Sequence, residues 1–167
     1  MILFHGSTEL IKTPQLMKPQ RLLDFGAGFY TSQSKEQAEN WAIIKCKRAE
    51  NCQHPIVNCY ELDDSVFKNS GFKVKIFEKA DEEWLDFIMS NRTTNAIHEF
   101  DIVMGPVAND SLFRTLTLYE SGILLKQETI TRLKTHILYD QLSFNTDISI
   151  KLLKFHSYYS INSTLTD

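Results

Sequence analysis

A histidine, a glycine and a hydroxyl stand in a row, His5-Gly6-Ser7, where the apolar opening Met1-Ile2-Leu3-Phe4 ends. A strand end of this kind offers an imidazole beside a backbone N–H and C=O that no side chain shields, which suits a flat amide or a ribose approaching the chain closely. Taken alone, it reads first as a strand end followed by a turn. A second block, Asp24-Phe25-Gly26-Ala27-Gly28-Phe29-Tyr30-Thr31-Ser32, turns on Gly26 and Gly28 and presents the Tyr30 ring for stacking. It is not a dinucleotide loop: the third glycine is missing, and the turn enters a strand instead of opening a helix. Asp24-Phe25-Gly26 is not a kinase motif either, because the chain has no His-Arg-Asp loop. Asn109-Asp110 reads as a helix cap or as a carboxylate facing a cleft. Cys46, Cys52 and Cys59, with His54 among them, could be counted as four zinc ligands, but no Cys-x-x-Cys pair occurs. Free thiols and no metal are the expectation. His98, His136 and His156 have no partner pattern, and Lys45-x-Lys47-Arg48 reads as a solvated helix end whose charge suits a C-terminus.

These residues need elements to hold them. The opening residues read as a short buried strand, and 8–23 as a loop with two prolines. A strand enters from Gly28. Ser34 and Gln37 have the spacing of a capping box, and Ala38, Trp41 and Ala42 supply an apolar stripe for the helix that follows. Residues 56–62 and 72–77 alternate as strands, the second with Phe72, Val74 and Ile76 on one face. A helix is predicted over 81–89, with Trp84, Leu85 and Ile88 inward. Asp101-Ile102-Val103-Met104 reads as a buried strand stopped by Gly105-Pro106. Further helices are predicted from Asn109 or Asp110 to Gly122, over 128–136 and over 147–153, with strands over 138–146 and 155–161. Strands and helices intersperse without strict βαβ alternation, which predicts an α+β fold.

At 167 residues the chain has the size of one domain, 1–167. Its 43% apolar and 23% charged residues exclude the disordered and fibrous classes. The net charge of −3 argues against a general duplex nucleic-acid binder. No apolar stretch approaches the ~20 residues of a membrane span, and the first residues lack the pattern of a signal peptide, so no membrane contact and a cytoplasmic location are expected.

Together, the two blocks resemble the ADP-ribosyltransferase superfamily, in the His–Tyr–Glu branch that includes poly-ADP-ribose polymerases and diphtheria-toxin-like enzymes. With Gln37-Ala38, Trp41-Ala42, the segment Asp101 to Asp110 and Asp140-Gln141-Leu142-Ser143-Phe144, the chain is similar to a bacterial ADP-ribosyltransferase-like family of unknown function, over residues 1 to about 157. The resemblance implies two small packed β-sheets flanked by helices around a cleft that takes NAD as a substrate. It implies that His5 bonds a ribose hydroxyl, that the Gly6 backbone grips the nicotinamide carboxamide with Ser7 adjacent, that Gly28 shapes the turn and that Tyr30 stacks on the nicotinamide ring. Asp110 joins these as a candidate ligand of the ribose or of the acceptor. The usual third residue is Glu. Here its place falls on Gln141, which can bond a hydroxyl but cannot act as a base, or on Asp140 one residue away.

The implied activity is transfer of ADP-ribose from NAD to a protein or nucleic-acid acceptor, with release of nicotinamide. This is glycosyltransferase chemistry of the toxin or defence type, with a small neutralising antitoxin as partner. The alternative is a catalytically degenerate module of the same fold that binds NAD or a protein. RNA 2′-phosphotransferase chemistry, which shares the fold, calls for a basic cluster that the turn beside Asp24 lacks.

Overall fold

The computed structural model describes residues 1–16, 23–69, 71–94, 98–107, 110–133 and 139–161. Seven strands, β1 (Ile2–Ser7), β2 (Phe29–Ser32), β3 (Ile56–Glu61), β4 (Val74–Ile76), β5 (Ile102–Val107), β6 (Tyr139–Phe144) and β7 (Lys154–Ser160), form one mixed sheet in the order β4-β5-β6-β2-β1-β3-β7. Six helices accompany them among the described residues: α1 (Lys35–Arg48), α2 (Val66–Asn69), α3 (Glu82–Thr94), α4 (Asp110–Glu120), α5 (Lys126–Leu133) and α6 (Asp147–Ile150). The α+β class holds. The two small packed sheets do not appear: the strands run on as one sheet. The reason lies at the β1–β2 junction, where a single register pair, Phe4↔Ser32, bridges two halves that are otherwise well paired. β1 makes six register pairs with β3, and β5 makes six with β6.

The register sorts the side chains. Phe4, Gly6, Tyr30, Ser32, Gln141, Ser143 and Val103 share one face, because directly opposed residues and residues two apart point the same way. α1 covers the β1–β3 part of that face, where Ala38 and Ala42 pack with Phe4, Val57 and Cys59. Trp84, Leu85 and Ile88 of α3, Leu116 of α4, and Ile130 and Leu133 of α5 form a second cluster on the same face with Phe25 and Val103. Between the two clusters runs a polar strip. The opposite face is one continuous core of Leu3, Phe29, Tyr60, Ile102, Leu142 and Phe144, closed by Leu62, Val66, Ile150 and Leu153.

Two local expectations change. β5 does not stop at Gly105-Pro106 but runs on to Val107. β4 ends opposite Met104, so Pro106 lies on the free side of β5, and its carbonyl turns to Trp84 Nε1 at 3.0 Å, away from β6. The missing proline N–H therefore costs no ladder bond. The capping box at α1 is half made. Ser34 Oγ accepts from Gln37 N at 3.2 Å, but the Gln37 side chain turns instead to the Ser32 hydroxyl. No helix among the described residues is long and apolar enough to cross a membrane.

Candidate functional site

β1 leaves β2 after Phe4, and the opened seam is where His5, Gly6 and Tyr30 meet. Among the described residues, His5, Gly6 and Ser7 have register partners only on β3: Asn58, Val57 and Ile56. The His5 ring leans against Phe29, with centroids 4.3 Å apart. Its Nδ1 lies 2.6 Å from the Tyr30 carbonyl oxygen. A carbonyl only accepts, so Nδ1 carries the proton and Nε2 presents a lone pair. Lys45 Nζ stands 3.5 Å from that lone pair and donates to the Gly6 carbonyl at 2.7 Å. Burial above all, and the Lys45 ammonium next, bring the His5 pKa down to about 3, against the Tyr30 hydrogen bond. The imidazole is therefore neutral across the physiological range.

Gly6 has a packing reason to be glycine. A Cβ there would sit 2.1 Å from Ala38 O and 2.6 Å from Ala42 N, both backbone atoms of α1. The helix crosses β1 at a distance only glycine permits. Gly28 is similarly close to β6, since its Cβ would meet Asn145 Nδ2 at 2.8 Å and Phe144 O at 2.9 Å. Both glycines are thus accounted for by chain packing, whatever else binds there.

The turn before Tyr30 is held from inside. Asn91 Nδ2 donates to Asp24 O at 3.0 Å; Asn145 Nδ2 donates to Phe25 O at 2.9 Å and to Ala27 O at 2.8 Å. Tyr30 itself closes the loop, its hydroxyl donating to Gly26 O at 2.5 Å and accepting from Phe25 N at 3.1 Å. His98 Nε2 reaches Phe25 O at 2.9 Å while Nδ1 accepts from Phe100 N at 3.3 Å. Arg92 joins the Asp24 carboxylate at 3.1 Å to Glu120 at 2.8 Å. Gly26 takes φ +75°, the left-handed conformation that favours glycine. Burial, then the Asp24 carboxylate, pushes the Tyr30 hydroxyl well above its ordinary pKa, so it stays protonated.

The other expected residues distribute unevenly. Gln141 is half-buried, pairs with Ser32 and Gly105, and shares a face with Tyr30 one diagonal step away. Ser7 is buried at the end of β1, where its Oγ accepts from Glu9 N at 3.3 Å. Asp140 holds the register position opposite Pro106, and Asp110 opens α4 at that same end of the sheet. The side chains of Asp110 and Asp140 lie outside what is described, as do Asn109 and His136. His5, Gly6, Tyr30 and Gln141 therefore gather around the seam, whereas Ser7 and Gly28 lie toward the end where β1 finishes and β2 starts.

The cysteines correct an expectation. Cys46 and Cys52 are joined in a disulfide, with Cα atoms 5.1 Å apart, and only Cys59 is a free, buried thiol. Lys45, expected as part of a solvated helix end, instead reaches the Gly6 carbonyl. It looks like any helix-end lysine, and only the packing of α1 on β1 brings it into the seam. The cavities described elsewhere, about 170 Å³ beside Ile76 and Glu83 and about 260 Å³ beside Leu62 and Lys154, include neither His5 nor Tyr30. Lys45 occupies the acceptors that an open cleft at the seam would present.

A family model described as Protein of unknown function (DUF3990) matches residues 1–155. No curated protein and no solved structure matches the chain.

Proposed function

The chain belongs to the DUF3990 family, and from that premise we propose that it is an NAD-dependent ADP-ribosyltransferase of toxin or defence type, moving ADP-ribose to a macromolecular acceptor and releasing nicotinamide. One observation carries the reading: a neutral His5 with an accepting Nε2 stands beside the Gly6 backbone, its Nδ1 tied to the Tyr30 carbonyl, where β1 parts from β2 among the described residues. These groups fit NAD by their chemistry. His5 Nε2 accepts a ribose hydroxyl, the Gly6 backbone holds a flat carboxamide, and the Tyr30 ring offers a face whose hydroxyl is already tied down. NAD supplies the leaving group, a pyridinium that departs as neutral nicotinamide, so no strong general acid is needed. A His5 pKa of about 3 keeps a second positive charge away from an oxocarbenium-like ribose. Gln141 bonds a hydroxyl on the same face but takes no proton.

Incubation with labelled NAD and a cell lysate tests the reading. Label transfer and free nicotinamide are expected, both lost in His5→Ala and Tyr30→Ala variants that still fold. A wild-type protein that releases no nicotinamide, whether oxidised or reduced, overturns it.

A second reading, a module that binds NAD or a protein without turnover, is favoured by Gln141 at the register position facing Ser32 and by the Lys45 ammonium on the Gly6 carbonyl. Calorimetric binding of NAD without nicotinamide release, with turnover gained in Gln141→Glu, is its expected signature.

A further inference from the structure

We propose that Lys45 is a latch across the β1–β2 seam and that the Cys46–Cys52 disulfide holds it shut. Reduction then frees the Gly6 carbonyl and the His5 lone pair for a nicotinamide nucleotide. The choice of ligand rests on the function proposed above; the latch does not.

The latch is a matter of shared acceptors. One ammonium sits on the Gly6 carbonyl at 2.7 Å and near His5 Nε2 at 3.5 Å, the two β1 acceptors that the opened seam leaves to a ligand. A ligand that needs either must displace Lys45. The cation also stands where a developing positive charge on a ribose would be repelled. A closed Lys45 is therefore wrong for the reaction on both counts.

The hold on Lys45 is covalent and local. Lys45 lies in the last turn of α1, where Ala49 N shares its hydrogen between Lys45 O at 3.1 Å and Cys46 O at 3.2 Å. Its neighbour Cys46 is bridged to Cys52, four residues before Ile56 begins β3. β3 pairs Val57 with Gly6. The disulfide thus ties the turn that carries Lys45 to the strand that positions the carbonyl it covers. Of the cations in that turn, Lys45 and Arg48 stand three residues apart, where like charges repel, so without the tether that pair works against closure. Both cysteines are half-buried, within reach of a small thiol.

The redox step balances simply. A dithiol reductant gives two electrons and two protons to the Cys46–Cys52 bond, leaving two thiols on the protein, and is itself oxidised to a disulfide.

The latch is read without any nucleotide. The oxidised and the dithiol-reduced protein are treated with an amine-acylating ester, and the modification of Lys45, an exposed ammonium held by the Gly6 carbonyl, is compared by mass spectrometry with that of Lys47, which is exposed on the same turn. Reduction is expected to raise the Lys45 rate by about fivefold or more relative to Lys47, the scale of ordinary coupling between sites. A Cys52→Ser variant with unchanged circular dichroism repeats the measurement without reductant. Equal rates in all forms overturn the latch.

NAD titration by calorimetry then follows the ligand. The reduced protein and Lys45→Met are expected to bind about fivefold more tightly than the oxidised protein, or better. Weaker binding by Lys45→Met overturns the latch and makes Lys45 a ligand contact. If the Lys45 rate responds to reduction but no form binds NAD, the latch stands and the nucleotide reading falls.

Discussion

The two walls of the seam are built in opposite ways. On the β2 side, the Asp24–Gly28 turn has its carbonyls turned inward onto Asn91, His98, Asn145 and the Tyr30 hydroxyl. Arg92 holds its carboxylate as well. On the β1 side, the end of α1 is tied down by the Cys46–Cys52 disulfide and by Lys45 on the Gly6 carbonyl. A wall fixed by many partly buried hydrogen bonds gives way only if several break together, because each lost partner leaves a polar group unpaired. A wall tied by a covalent bond that a thiol can cleave can be released by one reaction. The first arrangement suits a surface that must present Tyr30 in one place. The second suits a part that moves.

Substitutions can break this contrast, the most damaging first. Gly6→Ala puts a Cβ against the α1 backbone, and a loss of about 3 kcal/mol is expected in denaturant unfolding. An unchanged midpoint would show that α1 slides freely over β1, and the covalent hold would then lose its purpose. Removing the disulfide by Cys46→Ser with Cys52→Ser opens a loop whose ends are six residues apart. That should cost about 2 kcal/mol by the chain-entropy model, with the Tyr30 environment unchanged in near-ultraviolet circular dichroism. A shifted Tyr30 signal would mean that the walls are coupled.

Asn145→Ala strips a donor from Phe25 O and Ala27 O, although His98 still serves Phe25 O. About 1–2 kcal/mol is expected. Amide exchange should quicken around Gly26 and leave the end of α1 alone, the reverse of the pattern expected on disulfide reduction.

The smallest effect is in pH. The folded His5 pKa is depressed to about 3 from 6.5. Below pH 6.5 the unfolded chain takes up a proton that the folded chain refuses, so stability is complete above 6.5 and falls as pH drops toward 3. With the ring half-buried, a slope of about 1 kcal/mol per pH unit is expected there. Thermal melts from pH 7 to pH 4 measure it, and His5→Gln should flatten the curve by that amount. A parallel curve would mean that His5 titrates normally and is not held by Tyr30 and Lys45.

Much of the scaffold was legible along the chain. Ser34 announces α1, and the strict alternation of 72–77 announces a strand, of which Val74–Ile76 pairs. The α4 and α5 helices and the final strand follow from period and punctuation in the same way. α2 was not legible, because four residues are too few to show a period. Gly105-Pro106 misled, because whether a proline interrupts a strand depends on which side has a neighbour to bond. At the site, His5, Gly6 and Tyr30 stood out by type and spacing. Asn145, Asn91, His98 and Arg92 did not, since a side chain that bonds a distant carbonyl leaves no local pattern.

The amino-acid sequence determined the alternation and helical stripes, hence the α+β class, and the clustering of His5, Gly6 and Tyr30 near two strand ends. Those properties are local: they depend on period, caps and turn residues within one or two elements. Tertiary packing decided that the strands make one sheet with a weak seam rather than two, that Cys46 pairs with Cys52 while Cys59 stays free, and that Lys45 lies on the Gly6 carbonyl. The last of these depends on how closely α1 crosses β1. That distance is set by the absent side chain of Gly6 meeting a backbone more than thirty residues away.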